Sequence, residues 1–161
     1  MSRSVVPPNI EDLKKMGIKI PETFLEGKAV LDIFTEWCGP CKQIAPILHK
    51  LRDDGVISLV QEDLDKNRAL AEEHNIHAIP TLVFFKDGQR IGDVEGDSSD
   101  MPLDEFFSKV ADDIDFELLK DGNPVEDLPN YQVRIKRFLV KDGVMVGFPG
   151  EKLLQKIINE M

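Results

Sequence analysis

The spacing of apolar and polar positions changes several times along the chain, and each change predicts a new element. Short apolar runs of strand length lie at 29–34, 56–60 and 81–85. Apolar residues at helical spacing follow the first two of these runs, at 44–51 and 69–74. The order of strand, helix, strand, helix, hairpin and helix predicts an α/β fold with parallel and antiparallel strands.

Helix signals flank this central part. Asn9 is a typical N-cap before an apolar face that Gly17 ends, so residues 1–20 are predicted to form a lead-in and one helix. Pro46 lies inside the helix that begins near Cys38 and should kink it. Pro102 suits a first helical turn, and an apolar helical face follows it as far as Ile114.

Two Asp-Gly pairs predict tight β-hairpins. Asp87-Gly88 would connect the strand at 81–85 to a returning strand at 89–94, and Asp142-Gly143 would connect 133–140 to 144–148. An amphipathic helix should follow near the end of the chain. Its apolar face would consist of Leu153, Leu154, Ile157 and Ile158.

The predicted elements divide the chain into a main domain at 21–114, a linker at 115–130 and a hairpin–helix extension at 131–161. The linker is rich in Asp, Gly, Asn and Pro. The extension echoes the main domain, because Lys86-Asp-Gly88 recurs as Lys141-Asp-Gly143, and Gly92 recurs as Gly147. The echo indicates either a half-repeat or a common structural unit.

Charge and composition exclude several classes of function. The 161 residues carry a net charge of −10, which disfavours nucleic-acid binding. The chain has no apolar run of the roughly 18 residues that span a membrane, and residues 1–10 lack the apolar core of a secretory signal. We therefore expect a cytoplasmic protein. The acidic surface either provides solubility or selects basic partners.

The clearest chemical signal is the segment from Trp37 to Lys42, which reads Trp-Cys-Gly-Pro-Cys-Lys. It follows a strand and opens a helix, so Cys38 and Cys41 would lie on one helical face with their sulfurs within bonding reach. The positive end of the helix dipole would favour the thiolate of Cys38. Cys41, one turn further, would be buried and able to resolve a mixed disulfide.

Two other interpretations of the cysteines remain open. A structural zinc site needs four ligands, and the other candidates are His49, His74 and His77. Cys41 and His74 are 33 positions apart, which is unlike a compact zinc finger. The cysteines could also be an inert buried pair. We expect the three histidines to be surface or packing residues and predict no metal site.

The chain resembles the thioredoxin family over residues 21–114. The hexapeptide at Trp37–Lys42 carries most of this resemblance. Four further features match the family's pattern: Asp32 six residues before Cys38, Pro46 in the helix, the segment Ile79-Pro80-Thr81, and Gly96 in the last substrate loop. The resemblance implies a thioredoxin fold, a Cys38–Cys41 disulfide and a cis peptide bond before Pro80.

The resemblance also assigns roles to individual residues. A carboxylate buried in an apolar strand should have a raised pKa, so Asp32 would serve as the base for Cys41. The backbone of Ile79, beside a cis Pro80, would pair with an extended substrate. An apolar docking patch should surround Cys38. It would consist of Trp37, Gly39, Pro40, Leu64, Ile79 and Gly96.

Two positions depart from the usual pattern of the family. Gln61 stands where many thioredoxins carry a lysine near the buried carboxylate, so the coupling of Asp32 to the thiols should differ. Glu95 lies where the substrate surface is often apolar, and its charge would favour basic partners.

We therefore expect a protein disulfide reductase with Cys38 as nucleophile and Cys41 as resolving residue. The resemblance implies re-reduction by a thioredoxin-reductase-type partner, and no cofactor beyond the cysteine pair. The alternative is a docking or chaperone-like adaptor whose extension at 131–161 binds a partner. That extension would either pack on the main sheet and lengthen it, or form a homodimer through an exposed sheet edge.

Overall fold

The computed structural model describes residues 4–110 and 113–161 and contains helices and strands throughout this part of the chain. The helices are α1 Ile10–Lys15, α2 Gly39–Asp53, α3 Arg68–His74, α4 Leu103–Val110 and α5 Glu151–Glu160. The strands are β1 Lys28–Phe34, β2 Ser58–Asp63, β3 Thr81–Lys86, β4 Gln89–Arg90, β5 Val94–Pro102, β6 Leu119–Lys120, β7 Asn123–Pro124, β8 Gln132–Val140 and β9 Val144–Val146. Short 3₁₀ turns lie at Glu22–Leu25, Leu64–Lys66 and Leu128–Asn130.

The main sheet has the strand order β2-β1-β3-β4, and β9 also pairs with β3. β1 runs parallel to β2 and antiparallel to β3, which confirms the predicted mixture of strand directions. β3 has two partners on its outer side. β4 lies opposite Phe85 and Lys86, and β9 lies opposite Thr81 to Val83. The edge of the sheet is therefore built from two segments that are far apart in the sequence.

Successive side chains of β1 point to opposite sides of the sheet, and those on both sides are mostly apolar. Helices therefore cover both faces of this sheet. Val30 packs in one apolar layer with residues of α2 and α5, such as Leu48 and Leu154. Leu31 packs in the other layer with residues of α1 and α3, such as Leu70. Burying each such side chain contributes about 1.5–3 kcal/mol. The sheet therefore holds α2 rigidly, and the site described below lies at the start of that helix.

The chain divides into two compact units, and the division differs from the predicted one. The main unit comprises Met1–Val94 and Leu139–Met161, and the second unit comprises Glu95–Phe138. The last 23 residues join the main unit because β9 pairs with β3 and α5 packs on the sheet. Two lysines of the sheet strands also bind the end of α5. Lys28 Nζ donates to Ile158 O at 2.6 Å, and Lys86 Nζ donates to Met161 O at 3.1 Å.

The predicted hairpins are only partly present. The returning strand expected at 89–94 pairs with β3 only as Gln89–Arg90, and the chain then leaves the sheet. β8 and β9 do not form the expected hairpin, because β8 pairs with β5 whereas β9 pairs with β3. The Asp142-Gly143 turn between them does form, with φ of 51° and 79°, as an Asp-Gly hairpin turn requires.

The two ends of the inserted unit meet at one place, which we call the neck, formed by residues 90–94 and 139–143. Gly143 N donates to Gly92 O at 3.1 Å, and Asp142 N donates to Asp93 Oδ1 at 2.8 Å. Arg90 Nε donates to Asp142 O at 2.7 Å. Gly143 has a positive φ, and a Cβ there would lie 2.7 Å from Ile91 O, so only glycine fits this position.

The second unit contains the β5–β8 pair, α4 and a small β6–β7 hairpin. The segment predicted as a linker at 115–130 thus has structure, and its Asp121-Gly122 pair forms a third turn with positive φ. α4 ends at Val110, and residues 111–112 of the predicted longer helix lie outside the described residues. Of the helices in the described part of the chain, none is both long and apolar enough to cross a membrane.

Candidate active site

The two cysteines lie at the start of α2, as predicted. Cys38 is the N-cap of the helix, Pro40 stands in its first turn, and the backbone N–H of Cys41 donates to Cys38 Sγ at 3.1 Å. The two residues form a disulfide, with their Cα atoms 5.2 Å apart. An N–H group and the helix dipole that point at Cys38 Sγ also stabilise its thiolate once the disulfide is reduced.

Asp32 lies behind this pair on β1, fully buried. Burial raises the pKa of Asp32, while a hydrogen bond from Gln61 and the charge of His49 act in the opposite direction. Gln61 Nε2 donates to Asp32 Oδ2 at 3.0 Å, whereas Oδ1 has no hydrogen-bond partner among the residues that the structure describes. Asp32 and Cys41 line one cavity of about 260 Å³. The carboxylate and the Cys41 side chain thus face the same cavity.

The histidines have different surroundings. His74 packs against the start of the chain, with Nδ1 2.8 Å from Val6 O. His49 is half-buried, and its Nε2 lies 3.0 Å from Gln61 Oε1. It is therefore two hydrogen bonds away from Asp32, a connection that the sequence analysis missed. Within residues 4–110 and 113–161, no cluster of three or more His, Cys, Asp or Glu side chains could hold a metal ion.

The expected docking residues of the main unit cluster around the disulfide. Trp37 is 72% exposed, and its Nε1 donates to Asp65 Oδ2 at 2.8 Å. Trp37, Leu64 and Ile79 line one open cavity of about 420 Å³. Gly39 and Pro40 are exposed at the first turn of α2. The peptide bond before Pro80 is cis, as the resemblance implied.

A glycine that the sequence analysis did not assign to the site, Gly147, contacts Pro80. Gly147 N donates to Pro80 O at 2.7 Å, directly after β9. Gly96 and Glu95 lie on β5 in the second unit, where Glu95 Oε1 is 3.9 Å from Lys136 Nζ. Gly147 is thus a second glycine, besides the expected Gly96, to be considered for the substrate surface. The recurrence of Gly92 as Gly147 was the signal that could have identified it.

Comparisons with known proteins agree with this geometry. A family model described as "Thioredoxin" matches residues 22–109. A thioredoxin of Staphylococcus aureus is 39% identical over 85 residues, which are 52% of this chain and 82% of that protein. Among solved structures, mitochondrial thioredoxin 3 from Saccharomyces cerevisiae in its oxidised form is 38% identical. The match covers 44% of this chain and 68% of that one, with a TM-score of 0.37.

A second solved structure, the thioredoxin of Fasciola hepatica, is 32% identical. That match covers 56% of this chain and 82% of the other, with a TM-score of 0.40. The family model spans more than half of the chain, and its matched region contains the disulfide at the start of α2. Thioredoxins generally act on disulfide substrates and receive electrons from a reductase. The chain thus belongs to the thioredoxin family and is a thiol–disulfide oxidoreductase with a thioredoxin fold.

Proposed function

We propose that this protein reduces disulfides of other proteins through its two cysteines. The observation that carries the proposal is the position of Cys38 at the N-cap of α2, where its sulfur accepts the backbone N–H of Cys41. The Cys38 thiolate attacks one sulfur of a substrate disulfide. The substrate S–S bond breaks, a mixed disulfide forms, and the other substrate sulfur leaves as a thiolate.

Cys41 completes the reaction. Its thiol transfers a proton to Asp32, and the resulting thiolate attacks the sulfur of Cys38. The mixed disulfide breaks and the second substrate sulfur leaves, so two electrons have passed from the cysteine pair to the substrate. The raised pKa of Asp32 and the shared cavity support its role as the base. The Cys38–Cys41 disulfide is the product form of the enzyme.

The substrate binds on the surface around Cys38. Trp37, Gly39, Pro40, Leu64 and Ile79 supply apolar contacts. Ile79 makes no backbone hydrogen bond within the described chain, so its N–H and C=O can pair with an extended substrate strand. Pro80 and Gly147 form the rest of this surface. The proposal adds Gly147 to the predicted Gly96, and it keeps Glu95 as a residue whose charge favours basic partners.

A thioredoxin-reductase-type protein would re-reduce the enzyme, as the family resemblance suggests, and we place the reaction in the cytoplasm, the compartment expected from the sequence. No cofactor beyond the cysteine pair is part of the proposal. The two electrons that the cysteine pair gives to the substrate are replaced by two from the reductase, which must reach the same disulfide at the start of α2.

Insulin reduction driven by dithiothreitol tests the proposal. The wild-type protein should precipitate the insulin B chain rapidly, and Cys38→Ser should lose at least about a thousandfold in rate because the nucleophile is gone. Cys41→Ser is the matched control: it retains the nucleophile and should accumulate a mixed disulfide that dithiothreitol releases. A folded wild-type protein with two free thiols and no insulin reduction would contradict a broad reductase.

The second unit favours a second candidate function, that of an adaptor. No described residue of 95–138 is buried, and several large apolar side chains there are exposed. Such a surface suits binding to a partner or to a second copy of the chain. Cys41→Ser distinguishes the candidates, because an adaptor would retain its partners without a reducible bond. Light scattering that shows a monomer at every concentration would exclude the homodimer.

A further inference from the structure

Three side chains from different elements form a hydrogen-bonded series that ends at Asp32. Gln61 on β2 donates from Nε2 to Asp32 Oδ2 at 3.0 Å, and its Oε1 lies 3.0 Å from Nε2 of His49 on α2. Asp32 is buried, and the other two residues are half-buried. Folding brings the three together, since they are 12 to 29 positions apart in the sequence.

The chemistry of the amide sets the direction of the series. A carboxylate oxygen only accepts, so the NH₂ group of Gln61 must face Asp32. The amide oxygen then faces His49 and also only accepts. His49 therefore donates from Nε2–H, which both the neutral and the protonated imidazole can do. The series holds its geometry whichever charge His49 carries.

The same series determines which oxygen of Asp32 exchanges a proton. Gln61 occupies Oδ2, whereas Oδ1 has no partner among the described residues. Asp32 shares its cavity of about 260 Å³ with Cys41. Proton exchange with the Cys41 thiol thus falls to Oδ1, while Oδ2 stays anchored.

We propose that His49, acting through Gln61, is a positioning residue for the resolving step, in which its charge biases the ionisation of Asp32. The proposal rests on Asp32 as the base of the proposed function. A protonated His49 draws electron density through the amide and favours the carboxylate, and a neutral His49 does so less.

The other charged groups near Asp32 offer weaker coupling. Glu36 and Lys42 line the same cavity but are exposed to solvent, which screens them. Glu62, the next residue on β2, points to the opposite face and accepts from Asn67 at 3.3 Å. β3 presents the apolar Leu82 opposite Asp32.

The remaining charges lie on the helices of this layer. After His49 on α2, Lys50 pairs with Asp54 at 3.1 Å and Arg52 pairs with Asp53 at 3.1 Å, and all four side chains are exposed to solvent. The charged residues of α5 are all exposed; they are Glu151, Lys152, Lys156 and Glu160. The thiols of Cys38 and Cys41 also titrate in the reduced protein, so the measurement must compare variants that retain both.

Carbon-13 NMR titration of the Asp32 carboxyl in the full-length reduced protein tests the coupling, with Asp32→Asn to identify the signal. In His49→Gln, which keeps a donor but cannot titrate, the pKa of Asp32 should rise. The matched control is His77→Gln, because His77 is exposed and is not one of the three side chains of the series. This control should leave the titration of Asp32 unchanged.

The route through Gln61 is tested by combining variants. In a Gln61→Met background, or Gln61→Ala if that protein does not fold, His49→Gln should shift the Asp32 titration far less. Two results would overturn the proposal: an Asp32 titration that is the same in wild type and His49→Gln, or a shift as large without Gln61 as with it.

Single-turnover kinetics provide a second readout. Cys38 attacks dithionitrobenzoate and releases one thionitrobenzoate, and Cys41 then attacks Cys38 and releases the second. His49→Gln should slow the second release about threefold near pH 6 and leave it unchanged near pH 8.5. Superimposable pH profiles would count against the proposal. If the wild-type protein does not reduce insulin but its Asp32 titration still differs from that of His49→Gln as expected, the proposed function alone is contradicted.

Discussion

The main unit and the inserted unit differ in how many side chains they bury and in the charge they carry, although they belong to one chain. The main unit has two apolar layers in which many side chains are completely buried. The inserted unit, Glu95–Phe138, has no buried residue among those described. It also holds 12 of the 30 acidic residues and 5 of the 20 basic ones, so it carries a charge of −7, and the rest of the chain carries −3.

This difference in packing separates the part of the chain that holds the disulfide from the part that exposes apolar side chains. A disulfide and its base need fixed distances, and a close-packed core provides them. The inserted unit instead exposes large apolar side chains, namely Val110, Ile114, Phe116, Leu119, Tyr131 and Phe138. Such side chains among acidic residues suit a partner with apolar and basic groups. The fold therefore places the disulfide and Asp32 on a packed core and leaves the apolar side chains of the second unit exposed.

Truncation should show the largest contrast. Removal of residues 151–161 takes away α5 with the buried Leu154, Ile157 and Ile158, so we expect the protein to lose its cooperative thermal transition. Excision of 95–138, with Val94 joined to Leu139 by two glycines, should preserve that transition and insulin reduction. Circular dichroism and the insulin assay measure both. An excised protein that is folded but inactive would show that the division is wrong.

Single substitutions of a buried and an exposed leucine should differ in their cost to the free energy of unfolding. Leu154→Ala leaves a cavity in the main core and should reduce the free energy of unfolding by about 3 kcal/mol. Leu119→Ala, a matched change at a side chain that is 57% exposed, should cost less than about 0.5 kcal/mol. Urea unfolding measures both values. Equal costs would mean that the inserted unit has a core of its own.

Asp32 should make the main unit less stable as the pH rises. Its pKa is raised above the unfolded value of 3.8, so between these two values the folded state binds more protons than the unfolded state. Wild type therefore loses stability as the pH rises through this window. Asp32→Asn should be more stable by about 1–3 kcal/mol near pH 8, and the gain should shrink toward pH 4.5. Urea titrations at several pH values measure this, and a gain independent of pH would contradict it.

The lysine bonds to α5 should give the smallest effect. Lys28→Met removes the donor to Ile158 O, a bond of 2.6 Å near the end of the helix, and should cost about 1 kcal/mol. Lys136→Met in the inserted unit loses only an exposed pair with Glu95 at 3.9 Å, and we expect less than about 0.5 kcal/mol. Thermal melts in low and high salt compare the two variants. A larger loss in Lys136→Met would reverse the ranking.

Local patterns were enough to place the two cysteines at the start of a helix and Asp32 on a buried strand, and the structure puts Asp32 and Cys41 at one cavity. The cis bond before Pro80 followed from the motif of the segment 79–81. The full length of the returning strand at 89–94 could not be predicted correctly. Its alternating pattern and that of β9 are equally compatible with pairing to β3. Only the long-range pairing of Thr81 with Val146 decides between them. The link from His49 to Gln61 likewise depends on packing between α2 and β2.

The neck also affects how easily the segment between its two parts can change in length. Its hydrogen bonds, from Gly143 to Gly92 and from Asp142 to Asp93, join the two ends where the chain leaves and rejoins the sheet. Lengthening a loop whose ends are already close costs little conformational entropy, about 0.6 kcal/mol for each doubling. The neck therefore holds the two ends of the segment together, so that the length of residues 95–138 can change at little cost to the sheet that carries the disulfide.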